Sequence, residues 1–423
     1  MTPSFPEAIK TWGRIGLLSF GGPAGQIALL HKEVIETHGW ISEKEFLSAL
    51  NFCMLLPGPE AMQLATYCGW KLHGTRGGLA AGLLFVLPGA VVMLALSLLY
   101  AKLGNLPLMQ AIFWGIKAAV LAIVFEALLK IAKKALKTKW DWAIAALSFV
   151  ALFVFALPFV LVVATAALLG YMLSNNSGTT ANPVARPSGM ATLKTVAIWL
   201  VLWLLPLATL YGVFGDSQVY TQLAQMFSVL AVVTFGGAYS VLASLGQTVV
   251  EQMGWLTPQQ MMDGFGLAET TPGPLILVGQ FVAFIAAKSV EQSLWSGVFA
   301  SLIFLWMTFV PCFLWIFAGA PWIEYLQDHP GLKASLSAVT AAATGVILNL
   351  SLWFGLHVFF TKVERATPPL PIWLPDFATL DVAALVASVG LGIVLVRFKA
   401  GIPKTLALAA AIGLSWHFLR TIL

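Results

Sequence analysis

The sequence predicts an all-α polytopic membrane protein built from two homologous halves, and three observations predict it. Of 423 residues, 59% are hydrophobic and only 10% charged, where soluble domains carry about 25% charged residues. The mean hydropathy is +0.88. Second, the chain repeats itself. At an offset of 215, Phe20-Gly21-Gly22 meets Phe235-Gly236-Gly237, Gly39-Trp40 meets Gly254-Trp255, and Pro57-Gly58-Pro59 meets Pro272-Gly273-Pro274. At an offset of 223, Pro88 meets Pro311, Pro107 meets Pro330 and Ala118-Ala119 meets Ala341-Ala342. Third, the shared residues are mostly Gly, Pro and Trp, which break and anchor helices. Discontinuous helices are therefore expected at Gly-Gly and at Pro-Gly-Pro.

Residues 5–20 carry Lys10 and Arg14 on one helical face, so this segment lies in the interface or borders a polar cavity. The same early cations argue against a cleaved secretory signal. Gly21-Gly22-Pro23 breaks the segment, and a second one runs to about Thr37. Ser42 and Glu45 then form a capping box, with Thr257 and Gln260 as its counterpart and Pro258 at the first helical position. Each helix started there runs about fourteen residues, roughly 21 Å, short of a ~30 Å hydrocarbon core. Both stop at Pro-Gly-Pro. New helices follow over 60–70 and 275–287, which makes each break part of a discontinuous span or a re-entrant hairpin. Open backbone groups survive at membrane depth only inside protein or beside a wet cavity.

Further spans are expected at 78–100, broken at Pro88-Gly89, and at 108–129. Residues 141–173 divide at Pro158 into two short segments. The polar stretch 174–190 is the linker between a first repeat over 1–173 and a second over 191–423. The second repeat offers 194–213, 223–235, the 258–287 break region, 294–319, 332–353, 382–396 and 403–419. The total is about ten to thirteen membrane segments.

Orientation follows from what the second copy lost. Lys10, Arg14, Lys32, Lys44, Lys71 and Arg76 become Gln225, Val229, Gln247, Gln259, Ala286 and Glu291. Lysine and arginine favour the cytoplasmic side, so their loss at matched positions fits an inverted repeat, the architecture of alternating access around a midplane site. A parallel repeat whose charges drifted is the alternative.

The candidate site is the pair of breaks, Pro57-Gly58-Pro59 and Pro272-Gly273-Pro274. Each presents a helix N-terminus with roughly half a positive charge, and together they could cradle an oxyanion or be mere kinks. Gly21-Gly22 and Gly236-Gly237 could add open amides. Glu60 and Glu269 bring one carboxylate to each break, for proton coupling or, at Glu60, for capping. Gln63, Tyr67, Thr270, Thr271 and Gln280 could hydrogen-bond along a polar path or be satisfied interhelical contacts. Lys117, deep in its span, faces either an anion or a structural partner. Arg14 and Lys32 could funnel anions or serve as positive-inside residues.

The formal charge of +5 reads as orientation signal or attraction for an anion, not as a nucleic-acid surface. Cys53, Cys68 and Cys312 lie in apolar segments without CxxC spacing, and the six histidines lack metal-ligand spacing. No metal, cofactor, hydrolase motif or ATP-driven motor is expected.

Phe20-Gly21-Gly22-Pro23, the run Leu56-Pro57-Gly58-Pro59-Glu60-Ala61-Met62-Gln63-Leu64-Ala65-Thr66, Gly69-Trp70, His73-Gly74 and Ala268-Glu269-Thr270-Thr271-Pro272-Gly273-Pro274-Leu275 closely resemble the chromate ion transporter family in its long, two-domain form. The resemblance covers essentially the whole chain. It implies efflux of chromate across the cytoplasmic (inner) membrane, chromate resistance, and the proton-motive force as energy source. Lys117 lies outside the shared motifs. Sulfate is a tetrahedral dianion like chromate, so a sulfate transporter is an alternative, as is an anion channel; a membrane-embedded enzyme is a distant third. The expected partners are the anion and the bilayer, with a homodimer allowed.

Overall fold

In a computed structural model of the chain, the residues described are 3–173, 189–233, 238–323, 330–366 and 371–422. The first helix, α1 (Phe5–Leu18), buries Trp12, Ile15 and Gly16 and leaves Lys10 and Arg14 exposed. Gly21 and Gly22 take φ of 87° and 70°, a left-handed region open to glycine. They turn the chain into α2 (Gly22–His31), which continues as a π-helical turn, Lys32–Thr37.

The repeat is visible in backbone conformation. The second half has its own π-helical turn at Gln247–Gln252, 215 positions on. Gly39 and Gly254 both take φ of 61°, and the break glycines Gly58 and Gly273 take 116° and 87°. Both predicted caps form. Ser42 N donates to Glu45 Oε2 (3.4 Å) and Glu45 N to Ser42 Oγ (3.3 Å), starting α3 (Glu43–Cys53). Thr257 N donates to Gln260 Oε1 (2.9 Å) and Gln260 N to Thr257 Oγ1 (3.1 Å) at the start of the equivalent helix, Pro258–Thr270.

After the first break, α4 (Glu60–Leu103) is 44 residues long, but His73 and Gly74 leave helical geometry. The chain folds back there. A Cβ on Gly69 would meet the Gly77 carbonyl, and one on Gly82 would lie 2.5 Å from Thr66 Oγ1, so residues 60–73 run antiparallel to those after 74. The expected break at Pro88-Gly89 is corrected: Pro88 sits inside the helix. Its missing N–H frees the Leu84 carbonyl, and Gly16 of α1 packs directly on that oxygen. Gly89 serves a close approach as well, since a Cβ there would meet the Pro272 carbonyl.

Next come α5 (Pro107–Ala135), α6 (Lys139–Phe153), α7 (Phe159–Met172), α8 (Gly189–Phe214), α9 (Val219–Val233), α10 (Ala238–Gly246) and α11 (Pro258–Thr270). The second break leads through a short 3₁₀ turn to α12 (Val278–Glu291). Gln292, at φ 53°, then reverses the chain into α13 (Leu294–Gly319). Close contacts of Gly279 with Phe304 and of Gly297 with Phe284 make this pair antiparallel too. The chain ends with α14 (Pro330–Phe359), a hairpin of β1 (Val363–Arg365) and β2 (Trp373–Pro375), α15 (Val382–Val396) and α16 (Ile402–Ile422). The hairpin was not foreseen; Arg365 Nη1 ties it to Glu251 Oε2 at 2.9 Å.

Among the described residues, six helices are long and apolar enough to cross a membrane, with α7, α9 and α15 as shorter apolar helices. The protein is a multi-pass membrane protein of two homologous halves. Two compact units form, each drawing on both halves. Unit 1 holds residues 1–95, 173–238 and 271–334; unit 2 holds 96–172, 239–270 and 335–423. In unit 1, α13 packs on α8, α9 and α12; in unit 2, α5 packs on α11, α15 and α16. The α5–α16 crossing is close because it is made of small residues: a Cβ on Gly115 would meet the Ala409 carbonyl, and one on Gly413 the Ala111 carbonyl. Residues 174–188 of the expected linker lie outside the described residues.

Candidate functional site

Unit 1 brings the two Pro-Gly-Pro breaks to one crevice. Pro23 and Gln26 of α2 line it, with Gly58 to Ala61 from the first break and Pro274 to Ile276 from the second. The chain can turn this way because glycine alone accepts φ of 116° at position 58 without strain, while Pro59 immediately precedes α4 and Pro274 the 3₁₀ turn. Three helix starts meet there: α2, α4 and the 3₁₀ turn into α12. Their positive ends favour an anion. The cavity measures about 10 Å³, the room of one water, so a tetrahedral dianion needs a wider conformation.

Side-chain amides hold the walls. Gln26, buried in an otherwise apolar run, donates from Nε2 to Gly273 O at 2.6 Å and to Ser19 O at 3.3 Å. Gly273 N donates to Ser19 O (2.9 Å) and Ser19 Oγ (3.0 Å). The expectation of open amides at the second break is thus corrected at Gly273, whose N–H is already spent on Ser19. Gln63 donates to Pro57 O at 2.7 Å. A Cβ on Gly58 would lie 2.9 Å from Gln63 Nε2 and 3.0 Å from Cys312 Sγ. Gln280, equally buried, donates to Ala90 O at 3.0 Å.

Glu60 lines the crevice half-buried in the first turn of α4. The crevice lining includes no lysine or arginine among the described residues. Arg14 is exposed and approaches Glu33 at 3.8 Å, and Lys32 is exposed. Gly21 and Gly22 have open space where a Cβ would go. Thr271 is buried, while Thr270 is exposed and donates to its own helix at Leu267 O (2.7 Å). Gly236 and Gly237 lie outside the described residues.

Unit 2 holds the other ionisable candidates. Lys117 of α5 sits 3.5 Å from Asp263 of α11, with both side chains 7% exposed. The structure therefore seats Lys117 in an ion pair, one of its two expected roles. Tyr100 donates to the other Asp263 oxygen at 2.8 Å. Glu269, also buried, accepts from Tyr239 at 2.9 Å. Asp263, Tyr100, Tyr239, Ser19 and Gln26 were missed by sequence reasoning. Asp263 and Gln26 did carry a signal, a polar side chain within a membrane-depth helix; the hydroxyls carried none until folded.

The family model described as chromate transporter matches residues 7–171 and again 221–414. The chain is 31% identical to the chromate transport protein of Pseudomonas aeruginosa, over 81% of this chain and 79% of that one. It is 29% identical to the chromate transport protein of Cupriavidus metallidurans, over 98% and 93%. It is 27% identical to the probable chromate transport protein of Synechococcus elongatus, over 90% and 94%. No solved structure matches.

Proposed function

The chain belongs to the chromate transporter family, and from that premise we propose that it is a secondary transporter exporting chromate across the cytoplasmic membrane. Proton-motive force drives it, and it confers chromate resistance. The observation that carries this reading is the crevice in unit 1, where two repeat-related breaks present helix starts to one small cavity. Helix N-termini suit a dianion without a resident metal. A carrier that alternates between conformations fits a cavity closed to about one water better than a channel does.

Glu60 is the coupling carboxylate of this crevice. A dianion beside an ionised Glu60 is repelled, so protonation there and anion binding favour each other; proton and dianion then leave together with net charge −1, and the membrane potential, negative inside, is the component of the proton-motive force that drives them outward. Chromate and sulfate share shape and charge, and competition distinguishes them.

Chromate uptake into energised inside-out vesicles tests the proposal. Uncoupler should abolish the uptake. Glu60→Gln, neutral at every pH, should flatten its pH dependence by raising uptake about tenfold at the higher, unfavourable pH. Uptake indifferent to uncoupler and to Glu60→Gln would identify a channel. Uptake of sulfate in preference to chromate would reassign the substrate.

A further inference from the structure

The buried trio of Tyr100, Lys117 and Asp263 in unit 2 is unaccounted for by the crevice. Lys117 Nζ lies 3.5 Å from Asp263 Oδ1, and Tyr100 donates to Asp263 Oδ2 at 2.8 Å. No other charged or titratable group faces Asp263 among the described residues. Further along α11, Glu269 faces Tyr239; that tyrosine also feels Glu126, which is paired to Lys130 at 2.7 Å. The packed helix α16 brings no ionisable side chain to Asp263.

The repeat supplies a built-in comparison. Lys117 and Tyr100, shifted by 223, become Thr340 and Ile323; Asp263, shifted back by 215, becomes Ser48. The matched sequence positions are thus charged or phenolic in one copy and neutral in the other. Thr340 needs no cross-helix partner, since its hydroxyl bonds Leu336 O within its own helix at 2.8 Å. A buried ion pair seldom stabilises more than a neutral replacement of similar shape. Stability therefore does not explain why the charges stand in one copy, and an intramembrane carboxylate is functional by default.

We propose that Asp263, held by Lys117 and Tyr100, is a proton-binding site that couples transport to the proton gradient, separate from Glu60 and Glu269. A proton from water binds Oδ1 and opens the ion pair. Lys117 keeps its three protons and its charge, so the trio passes from net zero to net +1. An unpaired ammonium in these surroundings is costly, and an anion, or a conformation that rehydrates Lys117, relieves it. Proton occupancy and carrier conformation are linked in this way.

This inference rests on the transporter reading, and the test separates their failures. The double variant Asp263→Ser with Lys117→Thr installs the neutral residues of the opposite copy. In proteoliposomes, the parent's oxyanion flux should rise about tenfold with an imposed pH gradient, and the double variant's ratio should fall to near one. A parent with no oxyanion flux at all sinks the function proposed above. A double variant whose ratio matches the parent's sinks this inference alone. A double variant that fails to fold leaves Asp263→Glu, whose transport–pH midpoint should move; an unmoved midpoint overturns the proposal. A readout free of substrate is the carboxylic-acid C=O band in infrared pH-difference spectra. It should lose a component in Asp263→Asn, and an unchanged spectrum counts against the site.

Discussion

Gly58 and Gly273 hold equivalent places in the two breaks but differ in surroundings. A methyl on Gly58 meets Gln63 Nε2 at 2.9 Å and Cys312 Sγ at 3.0 Å, at φ 116°. The same methyl on Gly273 meets the flexible end of Leu277 at 3.3 Å, with Phe85 O at 3.5 Å and Gly89 Cα at 3.6 Å in ordinary contact, at φ 87°. Gly58→Ala therefore adds displacement of the Gln63–Pro57 hydrogen bond to backbone strain of about 1–3 kcal/mol. Gly273→Ala carries mainly the strain, about 1–2 kcal/mol. Thermal melts of detergent-solubilised protein should rank Gly58→Ala below Gly273→Ala, and both below the parent. The reverse order would mean that crowding around Gln63 is not what constrains the first break.

Among the elements, α3 shows how local chemistry sets a helix start at the place the packing needs. Ser42→Ala removes both the Oγ acceptor and the partner of Glu45, which should lower stability by about 1 kcal/mol. The Ser42 hydroxyl, followed by Lys71 at 3.2 Å, holds the Glu45 carboxyl below its usual 4.5. A carboxyl with a depressed pKa contributes stability above its unfolded value and loses it as pH falls through the folded one. The parent should thus lose a small increment of stability on acidification from pH 5 toward 3, and Ser42→Ala should lose less of it. Melting temperatures of both proteins across that range check the sign; parallel curves would assign Glu45 no role.

For the whole molecule, the outstanding proposal is that the halves are inverted. Lys44 and Gln259 are matched positions, both exposed and both in the first turn of the helix that leads to a break. Single cysteines there, Lys44→Cys and Gln259→Cys, should react with an impermeant maleimide from opposite sides of sealed vesicles. Labelling from one side would make the repeat parallel and remove the case for alternating access by pseudo-symmetry.

Membrane residence, the two halves, the caps at Ser42 and Thr257, the turns at the breaks and the ends of α13 and α15 were legible in the chain itself. These depend on local rules: apolar runs, caps, and glycine or proline at a bend, all written within a few neighbouring residues. Partnership was not legible. Pro88-Gly89 reads as a helix break, and becomes instead a freed carbonyl under Gly16 and a passing place for Pro272. Lys117 reads as a cation in need of an anion or a partner, and the partner is a carboxylate 146 positions away. Gln26 went unremarked in its apolar run, and bolts the second break to Ser19. Contacts between residues so far apart in sequence arise from which helix faces pack together, and only the tertiary fold decides that.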